Sequence, residues 1–305
     1  MRPDPRLPLQ RLIVLAALCF AFAAPGLSAG AQPAPPAPPP ASIPPGLTDQ
    51  PCPSGSIGRP AALLAFAKAA VTEGPIDPAV MKAYASVAAE QAKTEELRVK
   101  NDWADLCLYR TANAQLLAGG GAKVVYLGDS ITELWQAADP EMFTGSVADR
   151  GISGQTSGQA LLRFYPDVVA LHPKVVHVMI GTNDIAGNNG PSRPEDLEDN
   201  ILAMVEIARA NRIRVVLASI PPAASFSWRP EIHPTEQILA MNRWLSELAR
   251  REGLVYVDYY SALAAPGGGM REGLSRDGVH PLIRGYDLMK PLALEAVAKA
   301  LREAR

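Results

Sequence analysis

From Lys123 onward the apolar residues fall into two alternating patterns. Short unbroken runs such as Val124 to Leu127 and Val175 to Ile180 are each followed by a polar turn, and then by a longer stretch with apolar residues every three or four positions. The first pattern predicts strands over 123–128, 146–150, 174–180, 213–219 and 254–258. The second predicts helices near 131–137, 156–171, 195–211, 235–252 and 282–303. Strands that are apolar on both sides suit a sheet covered on both faces. Strand and helix in alternation imply a doubly wound parallel sheet.

Residues 59–118 read differently. They lack strand-like alternation and are rich in Ala, Leu, Glu and Lys, which predicts two or three helices. Gly74-Pro75 interrupts the first, Asp77 and Pro78 cap and open the second, and Gly119-Gly120-Gly121 closes the last. Trp103, Leu106, Leu108 and Tyr109 are expected to form an apolar face on that last helix.

The amino terminus carries Arg2, Arg6 and Arg11, then an apolar run from Leu12 to Ala24, then small residues at Ala29 and Ala31. This is the pattern of a cleaved secretory leader over 1–31. The run falls short of the roughly 20 residues a membrane-spanning helix needs. Nine prolines follow within 32–51, an extended tether that forms no core. The chain thus divides into leader (1–31), tether (32–51), helical extension (52–121) and α/β domain (122–305), with a periplasmic or secreted destination. Cys52 and Cys107 form an even pair in a compartment that permits disulfides, although sequence leaves their separation open. A formal net charge of −2 gives no reason to expect nucleic acid or an anionic membrane as partner. No stable membrane insertion is expected once the leader is removed.

Four short blocks fall at the ends of the α/β elements: Gly128-Asp129-Ser130, Asp149 to Gly154, Gly181 to Asp184, and Asp277 to Pro281. Ser130 sits where a strand hands over to a helix, at the edge of a parallel sheet where ligands bind. It is a candidate nucleophile as well as a helix cap. A serine hydroxyl needs a base, which His280 can supply, and the imidazole needs an orienting carboxylate, which Asp277 can supply from the same loop. The backbone N–H groups of Ser130 and Gly151 and the amide of Asn183 are candidate donors to a tetrahedral oxyanion. Glycine at 151 is expected to let a substrate approach the backbone.

Taken together these blocks resemble those of the SGNH (GDSL-type) hydrolases, and in particular their acetylhydrolase-like branch, from about residue 122 to the C-terminus. The runs Gly128 to Trp135, Arg150 to Thr156 and Asp277 to Pro281 carry the likeness. Asp149 departs from it, since many relatives have Asn there. The resemblance implies a three-layer α/β/α, flavodoxin-like fold with a five-stranded parallel sheet. It also implies a serine ester hydrolase with Ser130 as nucleophile, His280 as base and Asp277 as its orienter. Ser130, Gly151 and Asn183 would line the oxyanion hole, with no cofactor or metal. Its expected partner is a small-molecule or glycan ester, with short acetyl-like acyl groups favoured. A lipid or aryl esterase of longer chains, and a non-catalytic glycan-binding protein on the same fold, remain alternatives.

Other readings complete the set. Phe226 and Trp228, in the loop 220–234, are expected to border the substrate. His177 reads as a core residue, His172 as a turn residue and His233 as a loop residue. Asp184 is expected to pin its loop, and Asp258 is a weaker alternative partner for His280.

Overall fold

The computed structural model describes residues 51–52 and 59–303, so the leader and all but the last residue of the tether lie outside the described residues. The extension holds α1 (Ala61–Val71), α2 (Pro78–Asn101) and α3 (Arg110–Ala118). The Asp77 carboxylate accepts the N–H of Ala79 at 2.7 Å and Pro78 occupies the first helical position, as predicted. One expectation fails. Trp103 to Tyr109 form turns ahead of α3 rather than a helical face, and Trp103 and Leu106 are 40% and 41% exposed. Asp105 adopts a left-handed conformation (φ +60°) that interrupts any helix through this segment.

The α/β part begins with β1 (Val124–Gly128), followed by α4 (Ser130–Ala138) and β2 (Val147–Gly151). Next come α5 (Ser157–Leu162), α6 (Phe164–Asp167), β3 (Val175–Met179), α7 (Thr182–Ile185), α8 (Pro194–Ala210) and β4 (Arg214–Ala218). The chain ends with α9 (Thr235–Glu252), β5 (Val255–Val257), α10 (Tyr259–Leu263) and α11 (Ile283–Glu303). All five strands are parallel, in the order β2-β1-β3-β4-β5, with Gly128 level with Gly151 on one side and with Met179 on the other.

Alternation along each strand sends side chains into two cores. Val125, Leu127, Val176, Val178, Val215 and Leu217 pack under α5, α6, α8 and α9. Val124, Tyr126, Val175, Val216 and Ala218 pack with Trp135, Tyr259 and Tyr286 under α4, α10 and α11. This is the expected three-layer α/β/α arrangement. The single helix expected over 156–171 is instead broken at Arg163. A continuous helix would set the Pro166 ring against the Leu162 carbonyl, whereas in the first turn of α6 that proline is tolerated.

The extension is tied to itself by a disulfide between Cys52 and Cys107, with Cα atoms 5.6 Å apart. Closing a loop of 55 residues restricts the unfolded chain by roughly 4 kcal/mol on the chain-entropy view. The extension also packs on the α/β part: Lys68 reaches the Ala138 carbonyl, and Asn113 donates to Pro166 O and Asp167 Oδ1.

Candidate active site

In the strand order 2-1-3-4-5 the chain reverses direction of growth around β1, which opens a crevice at the carboxyl edge beside it. Ser130 enters that crevice as the first residue of α4. Asp129 caps the helix, its Oδ1 accepting the Ile131 N–H at 2.9 Å. The Ser130 hydroxyl lies 2.8 Å from His280 Nε2, and His280 Nδ1 lies 2.6 Å from Asp277 Oδ2. Residues 150 apart in sequence thus form one hydrogen-bonded chain. Ser130 and His280 retain only 5% and 8% exposure.

The Asp277–His280 loop is a local knot. Asp277 Oδ1 accepts the N–H groups of Val279 (3.0 Å) and His280 (2.9 Å) and the Ser275 hydroxyl (3.0 Å). Gly278 makes the turn at φ +80°, a conformation L side chains rarely adopt. Burial alone would push the Asp277 carboxyl up, but the His280 ring and these donors outweigh it and hold it well below the usual carboxylate range. Burial likewise acts to depress His280, yet the Asp277 carboxylate overrides it and leaves the imidazole with a raised pKa. Such an imidazole takes a proton more readily, and Asp277 fixes which ring nitrogen faces Ser130.

The donor side of the crevice differs from its expected form at Gly151. Its N–H donates to Asp149 Oδ1 at 2.7 Å, so it is already engaged. The need for glycine also has another cause: a Cβ at 151 would run into the backbone of Thr132 and Glu133 in α4. Helix packing, rather than room for a substrate, excludes a side chain there. Asp149, which the sequence reading left outside the site, is buried beside it. Burial pushes its carboxyl up to about 7, against the pull of the Gly151 N–H. Burial similarly takes Asp129 to about 7.

Asn183 opens from the end of β3 inside α7. One of its amide hydrogens goes to the Gln155 carbonyl (3.0 Å), while its Oδ1 accepts from the Asn188 amide (2.5 Å). Asn188 Oδ1 in turn accepts the Trp228 indole N–H at 2.9 Å. These contacts fix the amide's orientation and leave its second hydrogen for a ligand. The Ser130 N–H, in the first turn of α4, also stands outside the helical ladder. These two are the uncommitted donors; Gly151 joins them only by sharing its hydrogen with Asp149.

Trp228 and Phe226 have different roles. The Trp228 ring stands 6.3 Å from that of His280 and is half-buried. Phe226 is fully buried and tilted against Trp228 at 5.1 Å, so it supports the tryptophan and cannot border a substrate, contrary to expectation. His177 is a core residue, bonded through Nε2 to the Tyr259 hydroxyl at 2.9 Å and depressed to about 3 by burial. His172 caps a 3₁₀ turn and His233 is exposed on its loop. Asp184 takes the N–H and hydroxyl of Ser157 and so pins the start of α5. Asp258 caps α10 through Ser261, which removes it as a partner for His280.

Sequence reasoning missed Arg163. Fully buried, it donates to the Gly128 carbonyl (2.9 Å) and the Arg150 carbonyl (2.8 Å), where β1 and β2 end, and to Gln155 Oε1 (2.5 Å) and Asp167 (3.1 Å). Its signal was a lone cation between Leu161-Leu162 and Phe164, on what pattern alone reads as a core-facing stretch. Asn188 carried no comparable signal.

Residues 126–288, more than half of the chain, match the GDSL-like Lipase/Acylhydrolase family. The chain belongs to that family. As a member it is a carboxylic ester hydrolase. Two solved structures agree. A Bacteroides fragilis protein assigned as an acylhydrolase is 39% identical, with the alignment covering 66% of this chain and 99% of that chain at a TM-score of 0.63. A GDSL-like lipase of Bacteroides thetaiotaomicron is 38% identical, covering 65% and 100% at a TM-score of 0.62. A curated relative, the uncharacterized lipoprotein YqeF of Bacillus subtilis, is 34% identical over 80 residues. That match spans 25% of the hydrolase and about a third (32%) of the relative's length.

Proposed function

We propose that this hydrolase cleaves short-chain, acetyl-like esters outside the cytoplasm through an acyl-enzyme on Ser130, with glycan esters as its natural substrates. His280 Nε2 takes the Ser130 proton as Oγ attacks the ester carbonyl. The tetrahedral oxyanion is held by the Ser130 N–H and the free hydrogen of Asn183, with Gly151 contributing as far as Asp149 yields its hydrogen. His280 returns the proton to the departing alkoxide, then activates water to free the acid, while Asp277 holds the imidazole throughout. The observation that carries this reading is the unbroken chain Ser130 Oγ, His280, Asp277 at 2.8 and 2.6 Å.

Two features support a short acyl group. Ser130 and His280 are nearly enclosed, and the Trp228 ring lies 6.3 Å from the imidazole. An apolar cavity of about 600 Å³ lies between α7, α8 and α9, and neither Ser130 nor His280 lines it. Export rests on the leader and tether, agrees with the Cys52–Cys107 disulfide, and fits a lipoprotein relative. Among the described residues no helix is long and apolar enough to cross a membrane.

The test is hydrolysis of p-nitrophenyl acetate, butyrate and octanoate by the mature protein beside Ser130→Ala. Activity falling steadily from acetate to octanoate, and lost in the variant, is expected. A preference for octanoate would overturn the short-chain reading, and an active Ser130→Ala would overturn the nucleophile.

A further inference from the structure

The extension lies ahead of the family match, which starts at residue 126, and it does more than cover the sheet domain. Its contacts converge on the segments that carry the site. The Tyr109 hydroxyl donates to the Gly151 carbonyl at 2.5 Å, and the Tyr109 ring lies under the Arg150 guanidinium, 4.7 Å from its centre. Gln155, whose carbonyl orients the Asn183 amide, gives its own amide to the Ala104 carbonyl (3.0 Å) and to Asp105 Oδ2 (2.7 Å). Glu133 in α4 accepts the Ser153 N–H at 2.5 Å and is ion-paired with Arg59 of the extension. On the far side of the crevice, Arg276 donates to the carbonyls of Ala70 (3.3 Å) and Thr72 at the end of α1, and it immediately precedes Asp277. Glu73 accepts the Arg284 N–H at the start of α11.

Of the candidate donor positions, Gly151 is therefore one hydrogen bond from residues 104–109, and Asn183 is two, by way of Gln155. That segment is anchored by Cys107, two residues from Tyr109, through its disulfide to Cys52. We propose that the N-terminal extension is a positioning element of the active site, in which Tyr109, held in place by the Cys52–Cys107 bond, sets the Gly151–Gln155 loop, which carries the Gly151 N–H and orients the Asn183 amide through the Gln155 carbonyl. The proposal rests on the esterase reading above. Tyr109 touches no reacting atom; it acts by holding the loop against α4, where small displacements of a donor are costly to the transition state and cheap in the ground state.

The experiment compares full-length wild type, Tyr109→Phe and the Cys52→Ser/Cys107→Ser double variant on p-nitrophenyl acetate, with thermal midpoints recorded for each. Removing one phenolic oxygen should lower kcat on the order of tenfold with KM within about twofold and the midpoint nearly unmoved. The double variant should show the same kcat-selective loss at temperatures where circular dichroism reports it folded. Unchanged kcat in Tyr109→Phe, or losses that merely track unfolding in both variants, would overturn the proposal. Ser130→Ala, measured alongside, separates the two readings: if it stays active, the esterase reading fails whatever Tyr109 does.

Discussion

The two sides of the Ser130 hydroxyl are built by different means. On the base side, Asp277 and His280 lie three residues apart, and the hydrogen bonds that shape the loop between Ser275 and His280 come from within it, apart from those by which Arg276 reaches Ala70 and Thr72. On the donor side, Gly151 and Asn183 have near neighbours in Asp149 and Asn188 but also depend on distant groups: Gln155, Trp228, Arg163 and the extension's Tyr109. A self-contained loop places its groups wherever it is attached. An assembled wall holds only while each distant support holds. The base side should therefore respond to substitution in an all-or-none way, and the donor side in graded steps.

Substitutions can break that comparison at either end. Ser130→Ala removes the proposed nucleophile and should reduce kcat by about 10⁴-fold or more, with the residue left by binding and the oxyanion donors. Asp277→Asn leaves the loop's shape but offers the imidazole the wrong partner, for an expected loss approaching 10⁴-fold. On the donor side, Asn183→Ala should cost about 10²–10³-fold in kcat with little change in KM. Trp228→Phe keeps an aromatic ring beside His280 but deletes the indole donor to Asn188 along with part of the ring, so a loss of about tenfold is expected. Steady-state kinetics on p-nitrophenyl acetate measures all four. A Trp228→Phe variant as damaged as Asp277→Asn would erase the distinction between the two sides.

The pH profile sharpens it further. The proposed mechanism needs a neutral imidazole, and Asp277 raises the His280 pKa above its ordinary 6.5. The rate kcat/KM should therefore fall as pH drops through a midpoint above 6.5. Asp277→Asn removes the opposing charge and should move that midpoint downward, whereas Asn183→Ala should leave it in place.

The same division explains what could be read from sequence. The five strands were legible to within a residue or two; β1, β3 and β4 are largely apolar runs, as burial on both faces demands, although β2 carries Asp149 and Arg150. The base side was legible because a carboxylate and a histidine three apart on one loop need no third segment. Gly151 was found for the wrong reason: the pattern shows that a glycine is required, but not that the backbone of α4 requires it. Arg163 acts across the fold, and its partners at Gly128 and Arg150 are adjacent only once β1 and β2 are paired, while Asn188 links its neighbour Asn183 to Trp228, brought near by the loop 220–234. The aromatic pair at 226 and 228 was half legible. Composition marked it, but which ring faces the crevice depends on how the loop folds back, and Phe226 turned inward. Likewise Trp103 to Tyr109 looked like a helix face, since apolar spacing alone does not foresee the left-handed turn at Asp105.

The central claim is that Ser130, activated by His280, forms the covalent intermediate. Its most direct test is treatment of the mature protein with diethyl p-nitrophenyl phosphate, which phosphorylates an activated serine, followed by peptide mass mapping. The account predicts one adduct, on Ser130, formed in step with loss of esterase activity and absent from His280→Ala. An adduct confined to another residue as activity is lost, or full labelling of Ser130 without His280, would contradict it.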